Sequence, residues 1–216
     1  MTEAAPRLRF RFIGSWHPVL LGATDSPRLI ETFLRDTTAR RDDLAVLRAQ
    51  LRAELRTAAE TARSGGAEAM FLATEVQPGL PTPISLTLYA PAELRMSPAV
   101  GVDGTEVMRV FRDALAQRGA EGLDTAREIA HAETTVLRLH RVEPQELEGG
   151  ASVRRLSAEY WMAVPGTKNV VLVNLATPLG DIPHVMLDFF DAIVRAACFD
   201  ADDVSTDTSP AASPTR

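Results

Sequence analysis

The 216-residue chain predicts an α+β fold, a mainly antiparallel sheet of about six strands with helices packed on it. Three observations carry this reading. Segments of alternating apolar residues recur with short Gly- and Pro-bearing turns between them, which is hairpin spacing. Helical segments do not alternate regularly with strands, which disfavours a doubly wound parallel sheet. The stretch from Arg155 to Phe199 then reads strand, tight turn, strand, helix, a unit able to build a core.

In that unit Val170, Val171, Leu172, Val173 and Leu175 put apolar side chains on both faces, so 170–177 is predicted to be a central strand covered above and below. The preceding strand, 155–164, sets Leu156, Tyr160, Met162 and Val164 against Arg155, Ser157 and Glu159, one buried face and one wetter one. Pro165 to Asn169 makes the turn. A helix over 182–199 follows, with Asp181 as the expected cap and Pro183 in its first turn. Val185, Phe189, Ile193 and Ala197 form its predicted buried stripe. The opposite stripe, His184, Asp188, Asp191 and Arg195, is predicted to be solvated, with an Asp191–Arg195 ion pair.

Taken in order, Arg7 to Ile13 alternates arginines with Leu8, Phe10 and Phe12, an edge or near-edge strand. Gly14 to Thr24 reads as a loop. Asp25-Ser26-Pro27 starts a helix with Leu29, Ile30, Phe33 and Leu34 on its buried face. Asp42-Asp43 can start a second, with Leu44, Leu47, Leu51, Leu55 and Ala58, ended by Ser64-Gly65-Gly66. Residues 27–64 fit either two helices or one bent helix. Met70 and Leu72 face one way and Phe71 the other in the next strand, and Ile84, Leu86 and Leu88 alternate in its hairpin partner. Thr105 is the expected cap of a helix carrying Val107, Val110, Phe111, Ala114 and Leu115, ended by Gly119. Residues 126–142 read as one long strand, plain or bulged, and 143–152 as a loop. After Val204 there is no large apolar residue, so one globular domain over 1–199 and a disordered polar tail over 200–216 are expected.

Composition narrows the function classes. A formal net charge of -6 argues against a dedicated nucleic-acid surface, while leaving room for a local basic patch. Of 23 basic residues only Lys168 is lysine. The single cysteine, Cys198, excludes an intramolecular disulfide and a Cys-rich zinc site, and at a helix end it reads as a small apolar filler. With neither a signal-like start nor an apolar run of membrane length, a cytoplasmic protein without a transmembrane segment is expected.

The sequence contains no G-x-x-x-x-G-K, G-x-G-x-x-G, H-E-x-x-H or G-x-S-x-G motif, so no catalytic residue, metal ligand or cofactor is expected. His131 and His140, nine apart in one expected strand, would point to opposite faces and make poor partners. His17 lies in an expected loop with nothing nearby to complete a site. The most coherent charge cluster is Arg48, Arg52 and Arg56 at i, i+4, i+8, with Arg41 and Arg63 near its ends. It suits an acidic protein partner, a phosphate group or an anionic lipid, although Asp42, Asp43, Glu54 and Glu60 dilute its field.

The pattern Tyr160-Trp161-Met162-Ala163-Val164-Pro165-Gly166, then 170–178, then Leu187 to Val194, resembles the C-terminal half of a family of uncharacterised actinobacterial proteins. Over about the last 60 residues it is also similar to PsbP-like domains, including the LpqN-type lipoproteins, in the order of late hairpin and covering helix. That resemblance implies a non-enzymatic module acting through protein contacts. LpqN-type proteins are exported and lipidated, whereas a chain without signal or lipidated cysteine is expected here, since Met1 to Pro6 is not signal-like and the one cysteine is Cys198. The expectation is a cytosolic protein-interaction or accessory module; the alternative is a small enzyme or ligand-binding protein whose site gathers His17 and His131 with Glu133 or Glu159.

Overall fold

The computed structural model describes residues 6–19, 21, 58–77, 80–91, 96, 101–146 and 152–200. In chain order the elements are β1 (Arg7–Arg9), β2 (Trp16–Val19), β3 (Ala67–Gln77), β4 (Leu80–Tyr89), α1 (Gly104–Gln117), β5 (Arg127–Ala130), β6 (Thr135–Glu146), β7 (Ser152–Ala163), β8 (Val170–Thr177), α2 (Pro183–Ala196) and β9 (Cys198–Asp200). A helical end over 58–64 precedes β3. The fold is α+β, as predicted. Seven strands form one antiparallel sheet in the order β2-β3-β4-β8-β7-β6-β5, and β1 pairs with β9 in a separate two-stranded sheet. The strand that is apolar on both faces, β8, is the middle one of the seven.

Both faces of the large sheet are packed, for the reason its pleat gives. On one face Leu86, Val136, Leu156, Ala158, Tyr160, Met162, Val173 and Leu175 meet Met186, Phe190, Ile193 and Val194 of α2. On the other, Leu137, Ala163 and Val170 meet Val107, Met108 and Phe111 of α1. At the far end of that second face Met70 and Leu72 meet Ala59 and Ala62 of the helical end. Phe190 is fully enclosed, and burial of a side chain this size contributes about 1.5–3 kcal/mol.

The turn between β7 and β8 follows its sequence. Gly166 has φ of 68°, which only glycine adopts readily, and Val164 N–H donates to Asn169 C=O at 2.9 Å to close the reversal. Gly180 is required for a different reason. Its N–H donates to Arg154 C=O at 2.8 Å, and a Cβ there would lie 2.5 Å from that oxygen. The approach to α2 is thereby held against the start of β7.

Several expectations are corrected. Residues 126–142 form two paired strands, β5 and β6, rather than one. The reversal at His131-Ala132-Glu133-Thr134 has no Gly, Pro, Asn or Asp to signal it, and the His131 ring does the turn's work by accepting Glu133 N–H at 3.1 Å. Much of the loop expected over 143–152 is strand, since β6 runs to Glu146 and β7 begins at Ser152. Trp16–Val19 is also a strand, paired with β3; Pro18 is tolerated because β2 lies at the sheet edge.

The caps differ too. Asp103, not Thr105, accepts Glu106 N–H at 3.0 Å to cap α1. Ile182, at the N-cap position of α2, makes no side-chain capping hydrogen bond, while Asp181 faces Arg154 at 3.8 Å. Helix α2 ends at Ala196, and Cys198 belongs to the returning strand β9, half-buried. Asp200, expected in the tail, pairs in register with Arg7 and lies 3.4 Å from Arg9 Nε. The rest of the tail, most of the expected helices over 25–64 and the stripe Arg48, Arg52 and Arg56 lie outside the described residues.

Candidate functional site

The largest correction concerns α2. Its buried residues are Met186, Leu187, Phe190, Asp191, Ile193 and Val194; of the expected stripe, Ile193 and Ala197 are buried, whereas Val185 is 50% exposed and Phe189 is only half-buried. Apolar residues surround most of this helix, so two stripes fit the helical period and periodicity alone does not choose between them. The stripe that is buried carries a carboxylate into the core.

Asp191 is 5% exposed and holds two partners from the sheet. Arg138 of β6 donates from Nη1 to Asp191 Oδ2 at 2.7 Å, and Tyr160 of β7 donates its hydroxyl to Oδ1 at 2.7 Å. Arg138 and Tyr160 are directly opposite in the β6–β7 register, so one face of adjacent strands presents both donors to the helix. Arg195, one turn along α2, reaches Asp191 at 3.8 Å from the solvent side. Burial first, and the charge of Asp191 second, push the Tyr160 phenol far above its ordinary range, so it remains a donor. The network fastens α2 to the sheet.

His140 continues the same face of β6, two residues beyond Arg138. Its pKa is lowered, by burial first and then by the charges of Arg138 and Arg127. Two buried nitrogens, Arg138 Nε and His140 Nδ1, have no hydrogen-bond partner among the described residues. The backbone of His140 is satisfied differently: Thr125 Oγ1 donates to its carbonyl at 3.0 Å and accepts its N–H at 3.3 Å. That hydroxyl substitutes for the strand that stops at Arg127. The even-numbered residues of β6 therefore turn their backbone groups to this side, and Pro144 removes one donor from the open edge.

Across the sheet lies a shallow groove of about 100 Å³, lined by Glu121, Leu139, Arg141, Glu143, Ser157 and Glu159 among others. Ser157 donates to the Asn174 side-chain oxygen at 3.1 Å, and Trp161 Nε1–H donates to Glu159 at 3.3 Å. Arg141 lies 3.7 Å from Glu143. The backbone of His140 borders this groove. Because Leu139 opposes Glu159 while His140 opposes Ala158, the imidazole and the Glu159 carboxylate are on opposite sheet faces.

The structure also separates the histidines read from the sequence. His17 lies on β2, at the opposite edge of the sheet from His131. His131 Nε2 is 3.1 Å from Ala197 C=O, and Glu133 accepts Phe199 N–H at 2.7 Å; together they clamp the chain as it leaves α2. His184, Asp188 and Arg195 are exposed, whereas Asp191 of the same expected stripe is buried. Sequence reasoning missed Arg138 and Tyr160 as its partners. The available signal was a single charge amid apolar neighbours on each element: Arg138 between Leu137 and Leu139, and Asp191 between Phe190 and Ala192. Comparison with protein-family models and with curated proteins gives no match.

Proposed function

We propose that the protein is a cytosolic, non-enzymatic interaction or accessory module that engages an acidic protein partner. The observation that carries this reading is the use of Asp191. Asp191, which accepts from both Arg138 and Tyr160, is enclosed between α2 and the sheet, where it fastens the fold. In the open groove, Ser157 is hydrogen-bonded to an amide oxygen, which is no base, and Glu159 is engaged by an indole. The hairpin of β7 and β8 followed by a sheet-covering helix supports a PsbP-like architecture within this reading.

The stripe Arg48, Arg52 and Arg56 is the contact surface this proposal assigns on sequence grounds. Affinity capture from the native host at low and high salt tests it, using the wild-type chain and a variant with all three arginines changed to Glu. The expected result is a partner retained at low salt, released at high salt and absent from the variant. The alternative reading, a small-ligand protein or enzyme, is favoured by the groove carrying Ser157, Glu143 and Glu159 together. Turnover of a component of a metabolite extract, abolished by Glu159→Gln with the fold intact, would replace the first reading with the second.

A further inference from the structure

The solvent side of α2 carries a continuous apolar row. Ile182, at the N-cap position, is 43% exposed and Val185 is 50% exposed, while Ala192 and Ala196 are exposed and Phe189 is half-buried. These five follow one another at spacings of three, four, three and four, the seam spacing of helices that pack side by side. Single exposed apolar residues are ordinary, whereas a contiguous row of them marks an interaction surface. Phe189 and Asp191 are two positions apart, about 200° around a helix of 3.6 residues per turn. The row therefore lies on the flank away from Asp191 and its partners Arg138 and Tyr160, and its use leaves that network intact.

The polar border of the row has opposite signs at its two ends. Asp181, Asp188 and Arg195 are spaced seven apart, so they share one side of it, and all three are exposed. Asp181 reaches Arg154, and Arg195 reaches Asp191, only at 3.8 Å. A second α2 laid antiparallel on the first, about a two-fold axis near Asp188 and Phe189, sets Asp181 of each copy against Arg195 of the other. A parallel arrangement would set like charges together at both ends. Shape agrees with charge: the small side chains of Ala192 and Ala196 leave room for Ile182 and Val185 of the opposing copy. An anionic membrane fits less well, because helices that lie on membranes border their apolar face with Lys and Arg, and this border is mainly acidic.

We propose that the chain forms a two-fold symmetric dimer through the exposed row of α2, the two helices antiparallel. Ile182, Val185 and Phe189 supply the apolar contact, and the reciprocal Asp181 and Arg195 pairs fix the direction. Asp188 meets its own counterpart near the axis, a like-charge contact that limits affinity. This surface is separate from the Arg48, Arg52 and Arg56 stripe, and the dimer does not depend on the acidic partner assigned there.

Sedimentation equilibrium of the full chain, from about 1 μM to about 1 mM, tests the proposal over the range of a weak association. The mass of wild type should rise from one chain toward two. Val185→Asp, at a half-exposed side chain, should weaken association about ten-fold or more, with an unchanged urea midpoint showing that the fold is kept. Asp188→Asn should tighten association roughly two-fold by removing the repulsion at the axis. Asp181→Arg and Arg195→Asp should each associate poorly alone, yet form a mixed dimer with each other, in which both end pairs are again attractive. Val185→Asp and Asp188→Asn remain decisive where a reversal variant fails to fold. A wild type that stays monomeric throughout, a Val185→Asp variant that associates as well as wild type, or reversal variants with no preference for each other overturns the proposal. Binding of monomeric wild type to anionic lipid vesicles, lost in Val185→Asp, would assign the row to a membrane instead.

Discussion

Arg109 on α1 and Arg138 beneath α2 make nearly the same contact and owe it to different environments. Arg109 meets Glu106 at 2.6 Å and Asp113 at 3.0 Å, with side chains 45–59% exposed. Arg138 meets Asp191 at 2.7 Å with side chains only 6% and 7% exposed. By distance the two are equivalent. They differ in the alternative available when the contact breaks: the groups on α1 return to water, whereas those under α2 have only the core around them. The comparison shows that a contact's consequence is set by what its members would otherwise touch, and three experiments probe it.

The largest effect is expected from Asp191→Ala. It leaves the Arg138 guanidinium and the Tyr160 hydroxyl buried without their shared acceptor, a loss of about 3–5 kcal/mol. Urea unfolding measures it. If the ionic pair acts chiefly by avoiding an orphaned charge, the triple variant Arg138→Met, Tyr160→Phe, Asp191→Leu should recover most of that stability. A triple variant no more stable than Asp191→Ala would show that the network contributes something apolar packing cannot replace.

A smaller effect, and one confined to acid, is expected at His140. Its folded-state pKa is lowered by burial and by Arg138 and Arg127, while the unfolded chain titrates near about 6.5. Between those two values the unfolded state binds more protons, so stability rises with pH through this window. Conversely, full stability above about pH 6.5 declines as pH falls toward the folded-state pKa. In chloride buffer, wild type should lose stability across that interval relative to His140→Gln. Parallel pH profiles would show that the imidazole is not held neutral by the fold.

The smallest effect is expected from Arg109→Ala. Its partner Glu106 has a lowered pKa, owing first to their hydrogen bond, yet the pair is exposed and screened. The denaturation midpoint should stay within measurement error, at low salt and at high salt alike. A clear loss would mean that exposed pairs on α1 are coupled to its packing, and the contrast with α2 would narrow.

Much of the fold was legible in local pattern. The two-faced apolar run at 170–177 marked the middle strand, and Leu156, Tyr160 and Met162 were placed on a buried face before any partner was visible. Hairpins announced by glycine and proline were found, as at Gly166, because those residues act through their own backbone. The reversal at 131–134 was not, because its determinants are a side-chain hydrogen bond and pairing of β5 with β6. Strand β9 was hidden for a related reason: Cys198 to Asp200 has no strand signature of its own and is set by β1, nearly two hundred residues away along the chain.

The sequence by itself determined the α+β class, the central place of 170–177 and the scarcity of local catalytic motifs, since all three depend on residue type and short-range period. Tertiary structure alone decided that Met186, Phe190 and Asp191 of α2 face inward in place of Val185 and Phe189, while Ile193 and Ala197 are buried as the period predicts. That choice follows from what the sheet presents to the helix. Arg138 and Tyr160, brought together by the β6–β7 register, offer two donors to an inward-facing Asp191, and the rotation that turns Val185 outward aligns that carboxylate with them.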